Sequence, residues 1–288
     1  MSHFANLWRK VLCRGGLLLC VAMPAFGQKV PAHAEGLTEA LVSVPVRDGV
    51  TQDGVLSLRK GVTAPTILAV LLPGSPSVVR AVVQDGVMVE SKLTGNFLIR
   101  SRRHLADDTI ATLVVDCISD SGDTCSSAYQ ASADRQKHVQ LLIDKARSLQ
   151  PTLQKVWLIG TSMGTISSAF MAHYGAKAYA GALHTASITE PLARNSYREL
   201  HQFDYGKIAI PQAFVHHRDD PCALTTYSGA QAIAARYKLP LVTVTGGSGF
   251  TGNACQAQTQ HGFKGYEAEV MRFMANQMKS GVLVDAQL

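Results

Sequence analysis

Charge and aromatic side chains are scarce in this chain. Of its 288 residues, 17% are Asp, Glu, Lys or Arg and 7% are Phe, Trp or Tyr. With 47% hydrophobic residues, that balance excludes a disordered chain and allows a sizeable core. No C-x-x-C, H-x-H or H-E-x-x-H spacing occurs, so a metal centre is not expected. No internal repeat and no low-complexity linker divides the sequence, which excludes a solenoid and argues for one folded domain. No apolar run reaches the roughly 20 residues of a membrane-spanning helix.

The longest apolar run, "GGLLLCVAMPA", lies near the start behind Arg9, Lys10 and Arg14. A basic start, a short apolar stretch and small residues at Ala25 and Gly27 read as a secretory leader over residues 1–27. Cleavage before Gln28 fits best, with a second option after Ala34; an uncleaved anchor is the alternative. The mature domain then spans residues 28–288. Losing three basic and no acidic residues lowers the net charge from +6 to +3, too mild for a nucleic-acid partner. Four cysteines remain, an even number in an exported, periplasmic or secreted chain, where disulfides form. Cys117 and Cys125 are near enough to close a small loop, which leaves Cys222 for Cys255.

Along the chain, "ALVSVPV" and "VLSLRK" alternate apolar and polar residues around the turn-rich "RDGVTQDG" and read as an antiparallel edge hairpin. Continuous apolar runs, "TILAVLL", "TIATLVVD", "KVWLIG", "YAGALHTA", "IPQAFVHH" and "LPLVTVTG", read as buried strands. Helical patterns lie between and after them, among them "SADRQKHVQLLIDKARSL", "SGAQAIAARY" and "GYEAEVMRFMANQM". The alternation implies an α/β fold with a mostly parallel central sheet and helices on both faces. About twenty residues separate "HTASIT" from "IPQAFVHH", so a lid should be small or absent and the site open to solvent. The final "SGVLVDAQL" reads as a loose tail.

"GTSMGT" sits between the strand "KVWLI" and the helix "ISSAFMAHYG". A sharp strand-to-helix turn lifts Ser162 clear of the sheet edge. Gly160 and Gly164 remove the Cβ atoms that would collide there. A serine needs a base to take its proton, and the base needs an acid to orient it. Downstream, "FVHHRDDPC" offers Asp219 and Asp220, and "QTQHGF" offers His261. All three loops follow strands whose ends meet at one edge of the sheet.

On these motifs the chain resembles the α/β-hydrolase superfamily, and within it the small exported bacterial serine hydrolases. The resemblance implies Ser162 as nucleophile, Asp220 in preference to Asp219 as acid, and His261 as base. It implies an oxyanion hole from the backbone N–H groups of Met163 and Ser75. Pro73 in "LLPGS" departs from the His-Gly pattern common there. It implies no cofactor and no metal, and a small-molecule substrate: an ester first, an amide or peptide second. A non-catalytic binding protein on the same fold is the rival. The pairing of Cys222 with Cys255 would staple the acid loop to the histidine loop; Cys117 and Cys125 lie outside the motifs.

Other residues invite functional readings that weaken on inspection. "GSGFTG" formally matches a dinucleotide fingerprint but opens no helix, so it reads as a wall beside His261. His216 and His217 are neighbours on a strand and point oppositely, one buried and one toward the site entrance. His173 and His184 read as structural, Asp120 and Asp123 as loop charges, and Trp157 as core.

Overall fold

The computed structural model describes residues 30–191 and 197–288; the leader over residues 1–27 lies outside them. In chain order the elements are β1 (Leu37–Arg47), β2 (Val50–Arg59), β3 (Ile67–Leu72), β4 (Val82–Gln84), β5 (Val87–Glu90) and α1 (Phe97–Ser101). Then follow β6 (Ile110–Ile118), α2 (Ser127–Gln130), α3 (Ala133–Leu149), β7 (Lys155–Thr161), α4 (Gly164–Tyr174) and β8 (Gly181–Thr185). The last are β9 (Gln212–His217), α5 (Tyr227–Tyr237), β10 (Leu241–Val244), α6 (Glu267–Ser280) and β11 (Ala286–Gln287).

All six residues of β3 are buried, because both faces of the sheet are covered. Leu68, Val70 and Leu72 pack with Leu142 and Ile143 of α3 and Ile166 and Ala169 of α4. Ile67, Ala69 and Leu71 pack on the other face with Phe97 and Ile99 of α1 and Met271 and Met274 of α6. The alternation of a strand's side chains thus feeds two cores. Among the described residues the sheet has nine strands in the order β1-β2-β6-β3-β7-β8-β9-β10-β11. From β6 to β11 every pairing is parallel; only β1–β2 and β2–β6 run antiparallel. The expected fold class therefore stands. The loops leaving β3, β7, β9 and β10 all depart from carboxyl ends on one edge.

Two local expectations need correction, and one element is new. The "RDGVTQDG" link is mostly strand: only Asp48 and Gly49 turn, and β2 starts at Val50. Gln52 and Gly54 pair with β6, so sheet pairing outweighs the turn preference of Asp and Gly. A second hairpin, β4–β5, was not foreseen. Asp85 and Gly86 both take positive φ, as a two-residue hairpin turn requires. The tail is not loose: β11 runs parallel to β10, and Leu288 N–H donates to Thr243 O at 2.9 Å. Between β8 and β9, Leu200, Tyr205 and Ile208 are buried in the core, so residues 200–208 belong to the body of the domain. Among the described residues no helix is long and apolar enough to cross a membrane.

Candidate active site

Ser162 follows β7 directly and has φ of +52°, a left-handed conformation that non-glycine residues rarely hold without support. The support comes from close packing around the turn. A Cβ on Gly160 would lie 2.5 Å from Ser168 Oγ and 2.6 Å from Gly164 O, and one on Gly164 would strike Leu72 O. Those two glycines let β7, α4 and the end of β3 approach. Ser162 N–H donates to Thr185 O at 3.1 Å, and Thr165 N–H to Ser162 O at 2.9 Å, which starts α4.

Ser162 and His261 line one cavity of about 160 Å³, together with Gly74, Ser75, Asn96 and Gln256. Ser75 N–H and Met163 N–H have no hydrogen-bond acceptor among the described residues. The loop carrying Ser75 is tied down from several sides. Ser77 N–H donates to Gly74 O and Ser77 Oγ–H to Pro73 O, both at 2.8 Å. Asp116, at the end of β6, accepts from Val79 N–H at 2.6 Å and Arg80 N–H at 2.7 Å. Cys125 N–H donates to Pro76 O at 2.9 Å, and Cys125 is bonded to Cys117. The Cys117–Cys125 disulfide therefore braces the Ser75 loop, a relation the sequence did not suggest.

His261 is 5% exposed and the Asp220 side chain is fully buried. The base and acid are enclosed, while Ser162 keeps partial exposure. His261 Nδ1 lies 3.0 Å from Asp220 Oδ2. With Nδ1–H donating to that carboxylate, Nε2 keeps its lone pair. Asp219 is placed differently: its N–H donates to His217 Nδ1 at 3.0 Å, and no ion pair joins its carboxylate to Arg218 among the described residues. Asp220 has two further donors. Cys222 N–H reaches Oδ1 at 2.9 Å, and Thr225 Oγ–H reaches Oδ2 at 2.8 Å. Thr225 Oγ1 also stands 3.0 Å from His261 Nδ1. Thr225 is fully buried and was missed by sequence reasoning; a threonine five residues past the acid in a loop carries no motif. Cys222 is bonded to Cys255, so acid loop and cavity wall are covalently joined.

The histidine pair differs from expectation, since both members are buried. His217 Nε2–H donates to Gly246 O at 3.0 Å and, through the bond from Asp219 N–H, holds the acid loop. His216 Nε2 accepts from Ser187 N–H at 2.6 Å, and its Nδ1 has no partner among the described residues. Burial pushes His216 down to about 4, opposed by the charge of Asp220. His184, beside Ser168 Oγ at 2.7 Å, is likewise lowered to about 4 by burial. Both are neutral structural groups at pH 7. Asp123 is exposed and pairs with Lys92 at 2.9 Å, and Asp120 pairs with Arg47; neither lines the cavity. Trp157 is 1% exposed. Phe250, in the "GSGFTG" loop, is exposed; that loop does not line the cavity at Ser162. No group of three or more metal-ligating side chains occurs among the described residues. A larger hollow of about 570 Å³, near Arg103 and Lys279, has no serine or cysteine in its wall. Its Arg103 and Lys279 are paired with Glu35 and Asp107.

No family model and no curated protein matches the sequence. Solved structures do match in fold. Est1E from Butyrivibrio proteoclasticus aligns with a TM-score of 0.55 and 14% identity over 85% of this chain and 98% of its own. A cold-adapted esterase from an Arctic intertidal metagenomic library aligns at 0.56 and 12% identity, over 84% of this chain and 94% of its own. A dienelactone hydrolase-like promiscuous phosphotriesterase from metagenomic libraries aligns at 0.52 and 19% identity, over 85% and 98%. At such identities the likeness is one of fold: the chain has the α/β-hydrolase fold.

Proposed function

We propose that this protein is a serine hydrolase that cleaves small carboxylic esters through an acyl-enzyme. The observation that carries the reading is the His261 Nδ1–Asp220 Oδ2 bond of 3.0 Å behind a cavity that His261 shares with Ser162. In the proposed mechanism His261 Nε2 takes the Ser162 hydroxyl proton as Oγ attacks the ester carbonyl. Ser75 and Met163 N–H groups receive the oxyanion. Asp220 holds the imidazole in the tautomer the base needs and balances its positive charge. His261 then gives the proton to the departing alcohol, and water releases the acyl group by the same steps. No cofactor or metal enters the scheme.

The structural neighbours support hydrolysis, being named as esterases and a dienelactone hydrolase-like phosphotriesterase. The cavity size supports a small reacting group. A cavity of about 150 Å³ holds a benzene-sized guest, and this one has about 160 Å³. Acetyl to butyryl esters fit; a long acyl chain would have to lie outside. Two disulfides favour an oxidising, exported location.

The test is labelling with a fluorophosphonate, followed by assays on p-nitrophenyl esters and aminoacyl amides. Ser162 should be the labelled residue, and Ser162→Ala should lower turnover a thousandfold or more. Short esters should be the best substrates. Unlabelled protein inert to every ester and amide would leave the binding-protein reading; amides cleaved faster than esters would make it an amidase.

A further inference from the structure

One polar group at the cavity is left idle by this mechanism. Asn96 precedes α1, and its Oδ1 accepts from Leu98 N–H at 3.0 Å, capping the helix. That bond fixes the amide's rotation. With the oxygen turned toward the helix, Nδ2 and its two hydrogens face the other way. Asn96 lines the cavity with Ser75, Ser162 and His261. A Cβ built on Gly74 would lie 3.0 Å from Ser162 Cβ and 3.6 Å from Asn96 Nδ2. The nucleophile's carbon and the amide nitrogen therefore flank one point, which glycine leaves empty. Nδ2 has no acceptor among the described residues. A neutral donor, locked in orientation and unspent, stands beside the serine.

We propose that Asn96 is a catalytic residue, whose Nδ2–H donates to the oxygen that becomes negative when Ser162 adds to the ester carbonyl. It would be a third donor beside Ser75 and Met163 N–H. The inference rests on the serine-hydrolase reading. In that step the Ser162 Oγ–carbon bond forms, the carbonyl π pair moves onto oxygen, and the serine proton passes to His261. When the carbonyl reforms, the bond to the alcohol oxygen breaks and that oxygen takes the proton. The amide loses no proton at any stage. It matches a growing negative charge with a dipole already in place, the arrangement that favours the transition state over the ground state. The cap bond supplies the rigidity that such a donor needs.

Asn96→Ala would lose cap and donor together, so it is not the test. Asn96→Ser and Asn96→Asp both keep a side-chain oxygen for the cap and both lack the amide donor. Fluorophosphonate labelling of the wild-type chain comes first; no labelling at Ser162 overturns the parent reading and this proposal with it, whereas the arms below overturn this proposal alone. With labelling established, Asn96→Ser should lower kcat on p-nitrophenyl acetate by about 10²-fold, the cost of one oxyanion donor. KM should stay within about threefold. A trifluoromethyl ketone, which forms a charged adduct, should bind more weakly by a similar factor. Asn96→Asp should lose more, since a carboxylate repels the oxyanion. Asn96→Ser with kcat within threefold of wild type overturns the proposal. So does a change confined to KM, which would mean a ground-state contact only.

Discussion

Cys222 N–H donates to Asp220 Oδ1 at 2.9 Å while the same residue's sulfur is bonded to Cys255, a residue of the cavity wall. One cysteine thus holds the acid by hydrogen bond and the wall of the Ser162 cavity by covalent bond. Replacing Cys222 and Cys255 together by Ala should cost roughly 4 kcal/mol of stability by the chain-entropy model, since the bridge spans 33 residues. It should also lower kcat, because the acid loop loses its brace. Replacing Cys117 and Cys125 shortens the support of the Ser75 loop through Cys125 N–H and Pro76 O. That pair closes only eight residues, so its stability cost should be smaller. Thermal melting and steady-state kinetics on the two double variants check both. A Cys222/Cys255 variant with unchanged kcat would limit that bridge to stability.

The two neighbouring aspartates should separate cleanly. Asp220 Oδ2 faces His261 Nδ1 at 3.0 Å, whereas the contact at Asp219 is made by its backbone N–H. Asp220→Asn keeps the shape but offers an amide that can donate, which favours the wrong imidazole tautomer. A loss of up to about four orders of magnitude in kcat is the scale of such a swap in the serine-protease template. Asp219→Asn should stay within a few-fold, as its backbone bond survives. Both are assayed on one short ester; a larger loss at 219 than at 220 would reverse the assignment.

Most of the sheet was legible because fully buried strands are nearly continuous apolar runs, as in "ILAVLL" and "IATLVV". The geometry around Ser162 was legible because a tight turn leaves glycine as its trace. Loop position pointed to His261 and narrowed the acid to Asp219 or Asp220; the preference for Asp220 came from the resemblance. What stayed hidden was decided by tertiary partners. The β2 segment "TQDG" reads as turn until β6 is beside it, and "AQ" at 286–287 reads as tail until β10 offers its edge. The β4–β5 hairpin did carry a signal, Asp85-Gly86 between "VVQ" and "VMV". Thr225 and Asn96 carried none, since their roles arise from where Asp220 and Ser162 lie in space.

Thr225 should be a positioning residue that acts through Asp220 and His261. Its hydroxyl donates to Asp220 Oδ2 at 2.8 Å from a fully buried site. Thr225→Val keeps the volume and removes the donor. A hydrogen bond to a charged group contributes about 1.5–3 kcal/mol, so kcat should fall by roughly 10- to 100-fold with KM little changed. Thr225→Ser restores the hydroxyl and should recover most of the loss. Equal kinetics for the Val variant and wild type would reduce Thr225 to packing.

Acid should unfold this protein through two buried imidazoles. His184 and His216 are fully buried, and burial lowers each from 6.5 to about 4. In the unfolded chain each would bind its proton near pH 6.5. Between pH 6.5 and 4 the unfolded state therefore holds more protons than the folded one, and stability falls as pH falls. Above pH 6.5 both states carry neutral imidazole, and these groups add no pH dependence. Each group should remove roughly 3 kcal/mol by pH 4, at up to about 1.4 kcal/mol per pH unit. Urea denaturation at pH 7.5, 5.5 and 4.5 measures the slope. His184→Gln removes one titrating group; its stability should be lower than wild type at pH 7.5, because the packing is lost. Its slope below pH 6.5 should be shallower by about one proton. A slope in the variant equal to that of wild type would mean that His184 is not the group that acid attacks.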